Sequence, residues 1–184
     1  MASPKLSHVI LNTSNYEATK RWYLEVLEAT IGFETSDQTA CFLRIDESHH
    51  RIGLFKVAET DDYPTMTLPG ATDGMKARIN HLAFEYPTLE EVLHRHERIA
   101  QSAIVPKVCL NHGPTLSLYY EDPSKNTVEL YYDTKYTEEQ IAEHYAGGDR
   151  YVLGATPFDP AQLLKELRSG TPVAELIAWA PPSA

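Results

Sequence analysis

The sequence predicts an α+β fold in which two paired βαβββ modules form a cupped, eight-stranded mixed sheet, followed by a C-terminal helical extension. Three observations carry this prediction. One order of parts begins at His8 and recurs at His81. In each copy a strand-like run leads into a helix with apolar positions at helical spacing, and three further β-rich runs follow. The chain after about residue 134 does not repeat. The core is therefore expected over 1–134, with module one at 5–58, module two at 78–134, and the helical extension at 135–184. A four-stranded unit with one helix leaves one sheet face bare, so two such units should pair, and the cup between them is a ligand site.

The elements follow in order. SHVILNT precedes Ser14-Asn15-Tyr16-Glu17, which has the spacing of a capping box. Ala18, Trp22, Tyr23, Val26 and Leu27 then mark one face of a helix. ATIGFET, TACFLRID and HRIGLFKV complete the first copy. Residues 58–78 carry Pro, Gly, Thr and Asp without periodicity and read as a loop placed to cover a pocket. In the second copy NHLAFEYP leads to Thr88-Leu89-Glu90-Glu91, a second capping-box pattern, with Leu89, Val92, Leu93, Ile99 and Ala100 on the apolar face. IVPKVCLN, PTLSLYYED and NTVELYYD are its remaining strands. Thr137 to Gln140 is a third capping box; Asp159-Pro160 starts a helix that Gly170 stops. Leu163, Leu164, Leu167, Leu176 and Trp179 form an apolar stripe for packing on the domain or on a second subunit, so a homodimer is compatible with the sequence.

Composition narrows the function. The 184 residues, 42% hydrophobic and 23% charged, suit a globular domain with a core. A net charge of -10, from 16 Lys and Arg against 26 Asp and Glu, with no local basic cluster, argues against nucleic acid and anionic membranes as partners. The N-terminal stretch holds no apolar run long enough for a signal peptide or a membrane span, and a cytoplasmic location is expected. Cys41 and Cys109 lie in apolar strand-like runs and read as buried free thiols.

Among eight histidines, His94, His96 and His144 fall on predicted helices among charged residues and read as solvated or helix-packing side chains. His8 and His81 stand at equivalent places near the first strand of each copy. Either alone would read as a satisfied core histidine; duplication makes them a pair. Glu129, set in the β-prone run TVELYY, is costly to bury unless it meets a cation, although a rim position would also suit it. Two imidazoles and one carboxylate make a facial triad suited to Fe(II) and also to zinc. When the fourth strands are aligned, Gly53 falls where the second copy has Glu129, which leaves part of the metal shell open to a chelating substrate.

HVILNTSNYEATKRWYLEVL, INHLAFEYPTLEEVLHRH and HGPTLSLYYEDPSKNTVEL together resemble the vicinal oxygen chelate (glyoxalase/bleomycin resistance/dioxygenase) superfamily, and within it the single-domain type I extradiol dioxygenases, from about His8 to Asp133. The resemblance implies Fe(II)-dependent ring cleavage of a catechol-type vicinal diol by O2, with Mn(II) or another divalent ion able to replace iron. It places the metal ligands on His8, His81 and Glu129. It also places an active-site general acid on His50 of His49-His50-Arg51-Ile52-Gly53, and substrate-binding groups on His112 and on Tyr119, ten residues before Glu129. Read without the resemblance, His49 and His50 could be turn residues, Tyr119 core, and His112-Gly113 a plain turn. The spacing from His112 to Glu129 is shorter than in many relatives, and Lys125 replaces a glycine in the turn before the last strand. The alternatives are a metal-dependent isomerase or lyase of the same superfamily, disfavoured by Gly53, and a non-catalytic small-molecule binder.

Overall fold

The computed structural model describes residues 6–59, 79–148 and 154–179. The residues form two compact units. The first contains module one together with 122–126, and the second contains the rest of module two and the C-terminal extension. All eight predicted strands are present, divided between two sheets. Most of the predicted covering loop, residues 60–78, lies outside the described residues.

In the first unit the order is β1 (Val9–Thr13), β4 (Ile52–Lys56), β3 (Ala40–Arg44) and β2 (Thr30–Glu34). β1 runs parallel to β4, the other neighbours antiparallel. A parallel neighbour needs a long crossover, which helix α1 (Tyr16–Val26) and the intervening strands supply. Alternation sends Cys41, Leu43, Ile52 and Leu54 to one face, where all are buried together with Tyr16, Trp22, Tyr23 and Val26 of α1. Phe42, Gly53, Phe55 and Ile10 share the other face.

The expected capping box at Ser14–Glu17 does not form. Asn15 is the N-cap residue without a side-chain cap, and Thr13 Oγ1 accepts the Asn15 N–H at 3.0 Å. Glu17 turns instead to Lys20, 3.0 Å away. Thr13 is committed elsewhere too, because its hydroxyl, that of Thr19 and that of Ser124 bond one another in a buried triangle. Lys20 was not among the residues expected to be buried; Glu34 at 2.6 Å compensates its charge.

The second unit repeats the plan as β5 (His81–Tyr86), β8 (Thr127–Asp133), β7 (Thr115–Glu121) and β6 (Val108–Asn111), again with the first two parallel. A short β9 (Thr156–Pro157), which the sequence did not reveal, pairs with the outer edge of β6. The proline there is compatible with an edge strand. Leu116, Leu118, Tyr120, Val128 and Leu130 are buried on one face, as are Leu89, Val92, Leu93 and Ile99 of α2 (Leu89–Ala100). Thr88 caps α2 by accepting the Glu91 N–H and donating to the Glu91 carboxylate. The capping box of α3 (Glu138–Ala146) is complete. Helix α4 (Pro160–Arg168), capped by Asp159, packs along α2, with Leu164 buried and Arg168 bidentate to Glu97 at 2.7 Å. Leu164 of the apolar stripe thus finds packing within its own chain. A one-turn helix, α5 (Val173–Leu176), ends the regular structure. Cys41 and Cys109 are buried and free, and burial pushes the Cys109 thiol up to about 12. Among the described residues no helix is long and apolar enough to cross a membrane.

Candidate active site

With the apolar face of the second sheet against α2, strand alternation presents polar residues on the opposite face. Tyr119 of β7 and Ala83 of β5 both lie directly beside Glu129 of β8. His81 starts β5, two residues before Ala83, on the same face. Its Nε2 stands 3.0 Å from Glu129 Oε2, while its Nδ1 bonds Asn80 Oδ1 at 2.7 Å. His112 sits in the β6–β7 turn, where Gly113 takes a φ of +89°, and its Nε2 is 3.2 Å from the Tyr119 hydroxyl. The four side chains expected in module two at the site, His81, His112, Tyr119 and Glu129, are therefore brought together on one face. Tyr120, the next residue, points the other way and meets His96 Nδ1 at 3.1 Å.

Glu129 is only 6% exposed. Burial would raise its pKa, but hydrogen bonds with His81, Ser117 and Tyr119, together with the His81 charge, outweigh that and hold it below the usual carboxylate range. The same hydrogen bond is the main cause lifting His81 above an ordinary histidine, against its partial burial. Tyr119 is pushed up by burial and by the Glu129 carboxylate. Burial lowers His112, so its ring is neutral at neutral pH.

The donors suit a divalent metal. With Nδ1–H donated to the Asn80 oxygen, the neutral imidazole has its Nε2 lone pair aimed at an ionised carboxylate. Such an arrangement calls either for a proton or for a cation between the two groups. A carboxylate buried on the sheet and an imidazole whose far nitrogen is tied down make a hard donor pair of the kind Fe(II), Mn(II) and zinc accept. Among the described residues no group of three His, Cys, Asp or Glu side chains is close enough to hold an ion alone.

In the first unit, His8 precedes β1 and is exposed; its ring lies 4.6 Å from that of His50. His50 also meets Phe42, 4.9 Å between ring centroids, and its Nδ1 faces that of His49. His50 is thus more than a bare turn residue. Burial, then the neighbouring His49 and His8, lower its pKa. The register confirms the alignment that singled out Gly53: Ile10 and Phe42 flank Gly53 as Ala83 and Tyr119 flank Glu129. A Cβ at Gly53 would collide with Ile10 Cδ1, so the place of a second carboxylate is filled by an isoleucine methyl.

Sequence reasoning passed over two supporting residues, Asn80 and Ser117. The position of Asn80 immediately before His81, and of Ser117 two residues before Tyr119 on the same face, were the available signals. His144, read as solvated or helix-packing, packs: it is buried, 5.1 Å from the Trp179 ring.

A sequence profile described as the glyoxalase/bleomycin resistance protein/dioxygenase superfamily matches residues 5–130. The chain belongs to this superfamily. It is 40% identical over 185 residues to biphenyl-2,3-diol 1,2-dioxygenase 2 of Rhodococcus globerulus, covering 97% of this chain and 90% of that protein. To biphenyl-2,3-diol 1,2-dioxygenase 3 of the same organism it is 35% identical over 182 residues, with the same coverage. The solved lactoylglutathione lyase of Agrobacterium tumefaciens has a TM-score of 0.52 at 17% identity, covering 72% of this chain and 96% of that one. The fosfomycin resistance protein FosX of Listeria monocytogenes has a TM-score of 0.52 at 23% identity, covering 76% and 98%. These two structures establish the superfamily fold.

Proposed function

We propose that the protein is an Fe(II)-dependent extradiol dioxygenase that opens the ring of a catechol-type vicinal diol with O2. The observation that carries this reading is the His81–Glu129 pair sharing one sheet face with Tyr119 and His112. Likeness to two biphenyl-2,3-diol 1,2-dioxygenases over nearly the whole chain supports it. In those names the cut bond, 1,2, lies beside the hydroxyl-bearing carbons 2 and 3, which is the extradiol position.

In this reading His8, His81 and Glu129 hold the metal; Mn(II) or another divalent ion would meet the same donors. When bound, Fe(II) brings diol and O2 together and carries electrons between them. The remaining chemistry belongs to side chains. Tyr119 and His112 hydrogen-bond the diol oxygens and orient them, and neutral His112 can accept a proton from one hydroxyl. His50, with Nδ1 turned to His49, keeps Nε2 to take up a proton and return it to the opening ring. Phe42 packs beside this ring, 4.9 Å between centroids, and helps to orient it.

The test is anaerobic reconstitution with Fe(II), then admission of air with a panel of catechols, following yellow ring-opened product. The reading predicts product from at least one diol and none without iron. One bound iron per chain with no product from any diol would refute it.

A further inference from the structure

The superfamily profile ends at residue 130, and the two solved structures cover 72% and 76% of this chain. The biphenyl-2,3-diol 1,2-dioxygenases align over 97% of it, so the extension is shared with them and lies beyond the common fold. Its contacts converge on the β6–β7 turn. β9 pairs with Leu110 and Asn111. Asn111, which is buried, donates from Nδ2 to the Ile177 carbonyl at 3.2 Å and accepts the Gly113 N–H at 2.8 Å. Thr134 Oγ1 donates to the Gly113 carbonyl at 2.7 Å.

The next residue is held from above. A Cβ on Gly113 would stand 3.1 Å from Trp179 Cε3 and 3.3 Å from His144 Cε1, so the indole and the imidazole lie on its bare Cα. Only glycine adopts this turn's positive φ without strain and also tolerates that cover. Between Asn111 and Gly113 stands His112, whose ring bonds the backbone of Gly154, another residue of the extension.

We infer that the C-terminal extension is a strap that positions His112: Asn111 and Trp179 fix the turn so that Nε2 faces the Tyr119 hydroxyl as a lone pair, with the ring proton on Nδ1. The orientation matters because the Tyr119 hydroxyl has one proton and two acceptors, His112 and Glu129. With Nε2 unprotonated, His112 offers a second acceptor beside Glu129, so the Tyr119 proton can pass from carboxylate to imidazole while the Nε2 lone pair stays available to a substrate hydroxyl. Trp179, Asn111 and Gly154 are positioning residues in this scheme. The catalytic consequence rests on the proposed role of His112; the tautomer does not.

Imidazole nitrogen NMR on the full chain without added metal tests the strap directly. The wild type should show His112 as one neutral tautomer protonated at Nδ1. Trp179→Ala should give a mixture of tautomers, and Trp179→Phe, which keeps an aromatic cover, should restore the single form. If Trp179→Ala does not fold, Asn111→Asp, which keeps the acceptor for the Gly113 N–H and turns the donor to Ile177 into a repelling carboxylate oxygen, should show the same mixing. In the iron-loaded protein, Trp179→Ala should lower kcat about 10- to 100-fold with KM within about threefold, the cost of a misplaced catalytic group. On a His112→Ala background the same change should lower kcat less than about twofold, because both lesions act through one side chain. An unaltered His112 spectrum in both Trp179→Ala and Asn111→Asp would overturn the inference, as would an equal loss of kcat on both backgrounds. Iron-loaded wild type that opens no diol would instead defeat the functional reading, and the NMR result would still decide the strap.

Discussion

The two modules share one strand order and one register, yet one matched position of the fourth strand carries no side chain in module one and a buried carboxylate in module two. Size is exchanged across the strand pair. Ile10 lies beside Gly53 and fills its space, whereas Ala83 lies beside Glu129 and leaves room for it. The two platforms are alike in register, and one pair of positions makes one acid-bearing and the other apolar. The aromatic neighbours follow the same division: Phe42 beside Gly53, and Tyr119, with its polar hydroxyl, beside Glu129.

Removing the acid should have the largest effect. Glu129→Ala should bind no iron and show background activity, as read by metal analysis and oxygen uptake. His50→Ala, altering the first module's contribution, should keep one iron while kcat falls about 10²- to 10⁴-fold, the usual worth of general acid–base catalysis. An empty site in His50→Ala would mean that its role had been misassigned. Forcing the modules to resemble each other is next. Gly53→Glu should swing the flexible, exposed Ile10 end aside at little cost and lower stability by about 1–3 kcal/mol mainly through the carboxylate, so Ile10→Ala should restore little of it in denaturant titrations.

A pH series sharpens the contrast further. In the metal-free protein His81 is raised above its ordinary 6.5, so its contribution to stability is complete below that value and is lost as pH rises through the folded pKa. Glu129 is lowered from 4.5, so its contribution is present above that value and is lost as pH falls through the depressed pKa. The metal-free thermal midpoint should therefore decline from pH 6 toward 8, and His81→Ala should flatten that decline. Metal affinity should run the other way, because binding must displace the imidazole proton. The smallest effect concerns the turn before β8. Lys125 occupies a left-handed φ of +68°, and Lys125→Gly should stabilise by up to about 1 kcal/mol.

Much of this was legible because strand alternation and helical spacing are written directly into residue order. The paired histidines and the Gly53 match follow from aligning one copy with the other, and Glu129 stands out as an acid in a β-prone run. Local competition was not legible. Ser14 to Glu17 has the letters of a capping box, but Thr13 already serves the Asn15 N–H and Glu17 finds Lys20. β9 is two residues long and contains proline, below any periodic signal. The arrangement around His112 was hidden for a different reason: Asn111, Thr134, His144, Gly154, Ile177 and Trp179 are far apart in the chain, and only folding gathers them.

Equilibrium Fe(II) binding to the wild type and to His8→Ala, His81→Ala and Glu129→Ala under anaerobic conditions tests the central claim most directly. The account predicts one tightly bound ion in the wild type and severe loss of binding in all three variants, with folded circular dichroism retained. Wild-type occupancy and affinity in any one of the three would contradict it.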